Sequence, residues 1–253
     1  MGTEELRQQT KRPGPFTNCY EDGARAEAYS TLEFKNTYHL AYRDIPSILA
    51  AHVRGRKAVD FGCGTGRSTR FLAQLGFEVI GVDIAEDMVH KARVLDPSGD
   101  YRLVPGDDLR VLPRATFDLV LAAFTFDNIA GRENKARILR DLGCLLTREG
   151  NLVLIVSRPE IYTYEWASFS TKDFPENRQA KSGDKVRIVV TDLADARPVE
   201  DILWTDAAYR EVFEEAHLRL LHKYEPLGRE DEPYMWVNEL EIAPWAVYVL
   251  ERQ

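Results

Sequence analysis

The 253-residue chain contains little cysteine and no long hydrophobic run. Its three cysteines, Cys19, Cys63 and Cys144, are odd in number, and none stands in a C-x-x-C pair. This argues against a disulfide framework or a metal site and fits the reduced thiols of a cytoplasmic protein. No apolar run approaches the roughly 18 residues that a membrane-spanning helix needs. We therefore expect a cytoplasmic protein with no membrane and no metal ion among its partners.

The chain also lacks an excess of basic residues. Lysine and arginine number 33 against 41 aspartates and glutamates, for a net charge of −8. Phosphate-rich partners require a basic surface, so this balance argues against nucleic acid as the main partner. Hydrophobic residues at 44% and charged residues at 29% are ordinary proportions for a globular protein. Length and composition therefore favour a globular protein whose main partner is not a nucleic acid.

The strongest motif that is present is V-D-F-G-C-G-T-G at residues 59–66. An apolar, β-prone segment precedes three glycines at alternate positions, and an amphipathic run follows them. A strand, a glycine turn and a helix in this order let the backbone approach a ligand and point free N–H groups toward it. Asp83 ends the next strand, where a carboxylate can accept hydrogen bonds from ribose hydroxyls. The predicted cofactor-binding residues here are Asp60, Gly62, Cys63, Gly64, Gly66, Asp83 and Ile84.

Asp60 within this motif and Arg67 directly after it distinguish between two kinds of cofactor. The dinucleotide fingerprint has a third glycine where this chain has Arg67, and Asp60 stands two residues before the first glycine. A buried carboxylate there would oppose a pyrophosphate but suit an ammonium or sulfonium group. With Asp83 and the later Gly106-Asp107-Asp108, the chain resembles the class I S-adenosylmethionine-dependent methyltransferases. The resemblance implies S-adenosyl-L-methionine as cofactor and S-adenosyl-L-homocysteine as product, and it disfavours a nicotinamide-dependent oxidoreductase.

The resemblance also assigns residues outside the motif. In this family an acid after the third strand bonds the adenine amino group, which implies this role for Asp107 or Asp108; a solvated turn is the alternative. The segment before the first strand folds over the cofactor in this family. Tyr20 and Tyr29 would then line it, and Arg43 would meet the methionine carboxylate. Alternatively, the tyrosines of this segment, which include Tyr38 and Tyr42, only pack one helix face.

Alternating strand and helix patterns predict an α/β fold with a mostly parallel, seven-stranded, Rossmann-like sheet and helices on both faces. The expected strands are 58–61, 78–83, 101–104, 117–123, 152–156, 218–224 and 245–251. Residues 1–16 are expected to be a flexible tail, and 17–253 a single methyltransferase domain. Within it, 17–54 form a helical cover, with helices at 20–28 and 36–53 and a break at Pro46. Residues 158–204 form an inserted substrate lobe with a hairpin of 185–191 and 199–204.

The loop after the fourth strand is the predicted edge of the acceptor site. Ligands of open α/β sheets bind beyond the carboxyl ends of the parallel strands, so Phe124, Asp127 and Asn128 should face the pocket. Asp127 would orient the acceptor or only cap the following helix. Of the two histidines in the expected cover, His52 directly precedes the first strand, so His39 is the candidate general base, with a packing role as the alternative. Tyr162, Tyr164 and Trp166 would form an acceptor-binding wall or only a lobe core.

These observations predict an enzyme that transfers a methyl group to an oxygen or nitrogen of a small-molecule acceptor, as a monomer or homodimer. The alternatives are methylation of RNA or protein, and cofactor binding without turnover by a partner protein. The loop at residues 124–127 reads F-T-F-D and lacks the N/D-P-P-Y/F motif of enzymes that methylate nucleobases or glutamine. This departure disfavours DNA-adenine and protein-glutamine methylation.

Overall fold

The computed structural model describes residues 27, 31–32, 34–105 and 108–253. The helices are α1 (Thr37–Arg43), α2 (Ile45–His52), α3 (Arg67–Gln74), α4 (Glu86–Leu95), α5 (Arg132–Leu145) and α6 (Asp206–Glu215). The strands are β1 (Lys57–Phe61), β2 (Glu78–Asp83), β3 (Asp100–Leu103), β4 (Phe117–Ala123), β5 (Leu146–Ser157), β6 (Phe169–Ser170), β7 (Lys185–Val190), β8 (Val199–Ile202), β9 (Leu218–Tyr224) and β10 (Trp245–Arg252). Within these residues, no helix has the length and apolar character that crossing a membrane requires.

A seven-stranded sheet of order β3-β2-β1-β4-β5-β10-β9 runs through the described residues. Strands β1 to β5 are parallel, and β10 is antiparallel to both β5 and β9. The central strands are continuous apolar runs because both faces of the sheet are covered. The predicted fold class and all seven predicted strands are confirmed. Because the strands from β1 to β5 are parallel, their carboxyl ends meet along one edge.

Strand β5 begins earlier than the sequence predicts. It follows helix α5 directly at Leu146, whereas the predicted strand begins at residue 152. Phe117 of β4 pairs with Leu146, and Leu119 pairs with Asn151, so residues 147–150 form an irregularity in the pairing. A bulge of this kind hides the two-residue alternation on which strand prediction depends.

The two faces of the sheet carry two separate apolar cores. Leu152, Leu154 and Val156 of β5 pack against α5 and α6, whereas Val153 and Ile155 point to the opposite face. This alternation is that of a pleated strand. The second face packs against helices α1, α2 and α3 and also against the lobe. Fully burying one such side chain stabilises the fold by about 1.5–3 kcal/mol. The cover and the lobe therefore share one core.

A buried polar junction joins the cover to the lobe. The Thr37 hydroxyl donates to Glu239 at 2.6 Å and accepts from the Ser168 N–H at 2.9 Å. The Trp245 indole N–H donates to the Thr37 carbonyl at 2.9 Å. Thr37 and Glu239 are fully buried, and removing one partner from such a network leaves an unsatisfied group. The junction fixes the start of α1 against the lobe and the sheet.

The break in the cover lies at Asp44, two residues before the predicted site. Helix α1 ends at Arg43 and α2 begins at Ile45, so Pro46 lies in the first turn of α2. Proline is tolerated there because the N–H that it lacks would have no helical acceptor. The first expected cover helix, over 20–28, lies outside the described residues apart from residue 27.

The lobe contains a three-stranded antiparallel sheet of order β6-β7-β8. Strands β7 and β8 form the predicted hairpin, with Lys185 opposite Ile202 and Ile188 opposite Val199. Val186, Ile188 and Val190 are buried at alternate positions. Strand β6 has two residues, too few for a periodic pattern, and was not predicted.

Candidate functional site

One cavity lies at the carboxyl edge of the central strands. Its turn end is lined by Phe61, Gly62, Cys63, Gly64, Thr65, Arg67, Ser68, Asp83, Ile84, Met88 and Val104. Its lobe end is lined by Ser157, Ile161, Tyr162, Phe169, Ile188, Val190, Val199 and Asp201. Tyr38, Tyr42, Phe124, Asp127, Asn128 and Trp245 also line it. The cavity thus extends from the glycine turn to the lobe.

Two positions of the glycine turn have positive φ, which favours glycine, and at one of them a Cβ atom would also clash. Gly62 has φ 72°, and a Cβ there would lie 2.2 Å from Thr125 Oγ1. Gly64 has φ 53°, and a Cβ there would meet no described atom within 4 Å. Positive φ is accessible to glycine at little cost. Gly62 therefore lets the turn pack on the loop after β4, whereas Gly64 exposes bare backbone to the cavity.

Asp83 lies at the end of β2 with both carboxylate oxygens held by backbone. Oδ2 accepts from the Gly64 N–H at 2.8 Å, and Oδ1 accepts from the Ala85 N–H at 2.9 Å. Burial raises the pKa of Asp83, and the backbone hydrogen bonds oppose that rise. Each carboxylate oxygen can accept a second hydrogen bond. Asp83 is thus a fixed acceptor on the cavity wall, as the sequence predicts, and Ile84 follows it there.

Asp60 lies beneath the turn and does not line the cavity. Its Oδ2 accepts from the Ser68 and Thr69 hydroxyls, each at 2.6 Å, and these residues begin helix α3. Its Oδ1 is buried and has no hydrogen-bond partner within the described residues. Burial raises the pKa of Asp60 to about 6, and the two hydroxyls oppose that rise. Asp60 is therefore not a wall residue, which corrects its predicted direct contact, although its charge acts on the wall residues Tyr42 and Cys63.

Gly66 is also displaced from its predicted role. It has φ 82° and precedes the first residue of α3, and a Cβ there would lie 2.7 Å from the Tyr101 ring. Its lack of a side chain permits helix packing, and it lies outside the cavity wall. Gly62, Cys63 and Gly64 do line the cavity. Burial raises the pKa of the Cys63 thiol well above its ordinary value, so Cys63 is a packing residue there and not a thiolate.

Two cover tyrosines, Tyr38 and Tyr42, and Arg67 at the start of α3 line the cavity, although sequence reasoning did not assign them to the site. The Arg67 guanidinium lies 5.0 Å from the centres of the Phe34 and Tyr38 rings and 5.8 Å from that of Tyr42. Burial raises the pKa of Tyr42 to about 12, and the Arg67 charge opposes that rise. Arg67 stands where the dinucleotide motif has glycine. Sequence reasoning used this difference only to exclude a dinucleotide cofactor and did not assign Arg67 to the site.

Arg43 and His39 lie away from the cavity, which corrects both predictions. The Arg43 guanidinium donates to Asp44 at 2.8 Å and to Glu232 at 2.7 Å. His39 Nε2 lies 3.2 Å from the same Glu232 carboxylate. Successive residues of a helix point about 100° apart. Tyr38 and Tyr42 share the face of α1 that lines the cavity, so His39 and Arg43 share the next face, against residues 227–234.

The predicted adenine contact is corrected at Asp108. Asp108 is partly exposed, and its carboxylate accepts from the Arg110 guanidinium at 2.7 Å, which lowers its pKa to about 2. It lies outside the cavity wall, where Ile84, Met88 and Val104 present apolar surface instead. Asp107, together with Tyr20 and Tyr29, lies outside the described residues.

Asp127 belongs to a buried polar group at the lobe end. It follows β4 in a short 3-10 helix, and its carboxylate accepts from the Ser157 hydroxyl at 2.7 Å and from the Ser157 N–H at 3.1 Å. Helix α5 begins after Gly131 with no side-chain cap, so Asp127 does not cap that helix. Asn128 and Phe124 line the cavity beside it, as the sequence predicts.

The lobe supplies one of the three aromatic residues predicted for its wall. Tyr162 is buried, and its hydroxyl donates to Asp201 Oδ2 at 3.1 Å. Trp166 donates from its indole N–H to the Ile161 carbonyl at 2.9 Å inside the lobe core. Tyr164 is 44% exposed on the outside. The predicted wall is therefore corrected at Tyr164 and Trp166. Asp201, Ser157 and Trp245 are wall residues that the sequence did not single out.

The strand order, the glycine turn and the acidic end of β2 are those of the class I methyltransferase fold. Residues 59–154 match the methyltransferase domain family. Residues 59–154 therefore form a methyltransferase domain, and S-adenosylmethionine is the cofactor of this class of enzymes. The structure fits that cofactor, because Gly64 leaves open space beside the fixed Asp83 carboxylate.

Three known proteins illustrate the relationship. A cypemycin N-terminal methyltransferase of Streptomyces is 30% identical over 145 residues, 56% of each chain. The ubiquinone biosynthesis O-methyltransferase of Bordetella avium is 37% identical over 76 residues, 28% of this chain and 32% of the relative. The S-adenosylmethionine-dependent methyltransferase structure from Mesorhizobium loti has a TM-score of 0.60 at 20% identity, over 84% of this chain and 98% of that one. The chain spans about a third to just over half of the curated relatives described here.

Proposed function

We propose that the protein transfers a methyl group from S-adenosylmethionine to an oxygen or nitrogen of a small-molecule acceptor. The observation that carries the proposal is the cavity, which joins the glycine turn and Asp83 to a wall built by the lobe. A methyl transfer needs both compounds in one water-poor space, because the acceptor must lie in line with the leaving sulfur. A single cavity that reaches from the glycine turn to the lobe supports such an arrangement.

The turn end supplies groups for each part of the cofactor. Asp83 would accept hydrogen bonds from the ribose hydroxyls, and the bare backbone at Gly64 would lie along the cofactor. The apolar side chains of Ile84, Met88 and Val104 suit the adenine ring. Arg67 lines this part of the cavity and Arg43 does not. Among the described residues, Arg67 is therefore the candidate to bind the methionine carboxylate.

Three aromatic side chains of the cavity wall, Tyr38, Phe124 and Trp245, contact one another. The Phe124 ring centre lies 4.7 Å from that of Trp245 and 5.8 Å from that of Tyr38. When bound, S-adenosylmethionine supplies a methyl group activated by a sulfonium charge. Aromatic faces stabilise a nearby cation and exclude water from it. These three rings would therefore orient the acceptor and keep water from the transfer.

A proton acceptor is needed wherever the acceptor atom loses a proton on methylation. Asp127 is the candidate, because burial raises its pKa to about 6, closer to neutrality than that of an exposed aspartate. The hydroxyl and N–H of Ser157 hold this carboxylate in place. The same hydrogen bonds from Ser157 would also let Asp127 orient the methyl acceptor without taking its proton. The name of one curated relative, an O-methyltransferase, supports oxygen as a methylated atom.

The test is turnover of methyl-labelled S-adenosylmethionine by the full chain with a small-metabolite extract and, separately, with RNA and protein fractions. Asp83→Ala serves as the impaired variant, and Asp87→Ala, an exposed acid four residues further along, serves as the matched control. We expect label in the small-metabolite fraction with the wild type and Asp87→Ala, and little with Asp83→Ala. Label confined to RNA or protein, or cofactor binding without turnover, would contradict the proposal.

A further inference from the structure

A fully buried lysine lies behind the turn of residues 125–127 at the lobe end of the cavity. Lys135 is on helix α5, and its side chain is 0% exposed. Its Nζ donates to the carbonyl of Phe126, the residue directly before Asp127. Moving a charge out of water is costly unless other groups compensate for it. A buried cation beside an acid of the cavity wall is therefore a candidate for a functional role.

Aromatic rings surround the Lys135 ammonium group. Its Nζ lies 5.1 Å from the centre of the Trp204 ring, 5.4 Å from that of Tyr209 and 5.7 Å from that of Phe126. Aromatic faces attract a cation, and the Phe126 carbonyl accepts a hydrogen bond from it. These contacts lessen the cost of burying the charge and fix the ammonium group beside the turn.

Titratable groups of several elements face Lys135 in the described part of the chain. They are Asp127 after β4, Asp201 on β8 and Tyr209 on α6. Burial lowers the pKa of Lys135, and the charges of Asp127 and, to a smaller extent, Asp201 oppose that fall. Burial raises the pKa of the Tyr209 hydroxyl well above its ordinary value, so this side chain is neutral. Of these groups, Asp127 therefore interacts most strongly with Lys135.

Asp127 lines the cavity, whereas Lys135 lies behind it. Hydrogen bonds from the Ser157 hydroxyl and N–H hold the Asp127 carboxylate in place. Burial raises the pKa of Asp127, and the Ser157 hydroxyl and the Lys135 charge oppose that rise. A cation near a carboxylate favours its ionised form. Lys135 can thus affect a molecule in the cavity through Asp127.

The Lys135 charge matters most when the cavity is filled. Water then leaves Asp127, and loss of water favours the carboxylic acid, which cannot take up a further proton. We propose that Lys135 is a positioning residue for methyl transfer, whose ammonium group holds the turn at Phe126 and keeps Asp127 ionised in the filled cavity. The proton that the acceptor atom loses on methylation then passes to the Asp127 carboxylate. The inference rests on the proposed function and adds to it a residue outside the cavity wall.

The first measurement is the pKa of Asp127 in the full chain saturated with S-adenosylhomocysteine, by NMR of carbon-13-labelled aspartate carboxyl groups. The signal that Asp127→Asn removes identifies this residue. Lys135→Met and Lys135→Gln remove the charge. Lys223→Met is the matched control, because the Lys223 side chain is 20% exposed and its Nζ lies 6.0 Å from the centre of the Tyr248 ring and 3.1 Å from Asp206.

We expect both Lys135 variants to raise the pKa of Asp127 by about 1–2, and Lys223→Met to leave it unchanged. The affinity for S-adenosylhomocysteine, measured first on every sample, reports both folding and the cofactor site. A pKa of Asp127 that does not rise in the Lys135 variants, or that rises equally in Lys223→Met, would overturn the proposal. Neither outcome contradicts the proposed function as long as the wild type binds S-adenosylhomocysteine.

A reciprocal titration tests the same interaction if neither Lys135 variant folds. Two titrating groups affect each other equally, so Asp127→Asn should lower the pKa of Lys135 by about 1–2. NMR of carbon-13-labelled lysine side chains measures it in the wild type and in Asp127→Asn. Asp87→Asn, which changes an exposed acid, is the control. An unchanged pKa of Lys135 in Asp127→Asn would overturn the proposal.

The second measurement is the pH dependence of label transfer from methyl-labelled S-adenosylmethionine to a small-metabolite extract. Asp127 accepts a proton only when it is ionised, so Lys135→Met should lower turnover about tenfold at pH 6 and less than about threefold at pH 8. Lys223→Met should follow the wild type. An equal loss at both pH values would make Lys135 a structural residue only and overturn the proposal. No label with the wild type at either pH would instead contradict the proposed function, while the NMR titration still tests the interaction of Lys135 with Asp127.

Discussion

The two ends of the cavity are built in different ways. The turn end comes mainly from one strand-turn-helix unit and the end of the next strand, so its residues are close in sequence. The lobe end joins Asp127 after β4, Ser157 at the end of β5, Tyr162 after it and Asp201 on β8. These positions are separated by 5 to 74 residues in the chain. A local motif can specify the first end, but only packing of the lobe on the sheet assembles the second.

The largest effect that sharpens this comparison is expected at the turn. Gly62→Ala should lower the free energy of unfolding by about 3 kcal/mol, because it adds a steric clash with Thr125 to the cost of positive φ. Gly64→Ala, which has the same sign of φ but open space, should cost about 1 kcal/mol. Urea denaturation of both variants measures the difference. Equal losses of unfolding free energy in the two variants would show that the turn does not depend on close contact with Thr125 in the loop after β4.

The turn end should also impose a pH dependence on stability. The pKa of Asp60 is raised by burial, so the folded protein binds the proton more tightly, and this contribution is largest below pH 4 and is lost as pH rises to about 6. The stability of the wild type relative to Asp60→Asn should therefore fall by about 2–3 kcal/mol over that interval. Urea denaturation from pH 4 to 7 measures it. A relative stability that does not change with pH would contradict the raised pKa.

Cofactor binding should depend on Asp83 more than on any acid at the lobe end. Asp83→Ala should weaken binding of S-adenosylhomocysteine by about 1–3 kcal/mol, because it removes an acceptor and leaves the Gly64 N–H without its partner. Calorimetric titration is the measurement, with Asp87→Ala as control. Unchanged affinity in Asp83→Ala would mean that the ribose lies elsewhere.

The smallest expected effect is the difference in cofactor affinity between variants of Arg67 and Arg43. Arg67→Met should weaken S-adenosylhomocysteine binding by about 1–2 kcal/mol, because it removes the cation on the cavity wall. Arg43→Met should leave the affinity unchanged, since that guanidinium binds Asp44 and Glu232 on the other face of α1. The same titration measures both variants. A stronger effect of Arg43→Met would return the carboxylate contact to the residue predicted from the resemblance.

The successes of sequence reasoning follow from local rules. The central strands β1, β4 and β5 were predictable because parallel strands buried on both faces are short apolar runs between polar turns. Gly62, Gly64 and Asp83 were predictable because a turn at the end of a strand needs particular residues at particular spacings. The errors at Arg43 and His39 came from residues chosen by region, without a pattern to say which face of α1 meets the sheet.

The sequence by itself determined the class of fold and the chemistry of the turn end, because those features depend on residues within one supersecondary unit. It also named Asp127, which follows a strand whose end must meet the cavity. Only the tertiary structure decided that Asp60 lies beneath the turn, that Arg67 lies under the cover tyrosines, and that Asp201 meets Tyr162 across the lobe. Those outcomes depend on which surfaces pack together, and packing joins residues that no local spacing connects.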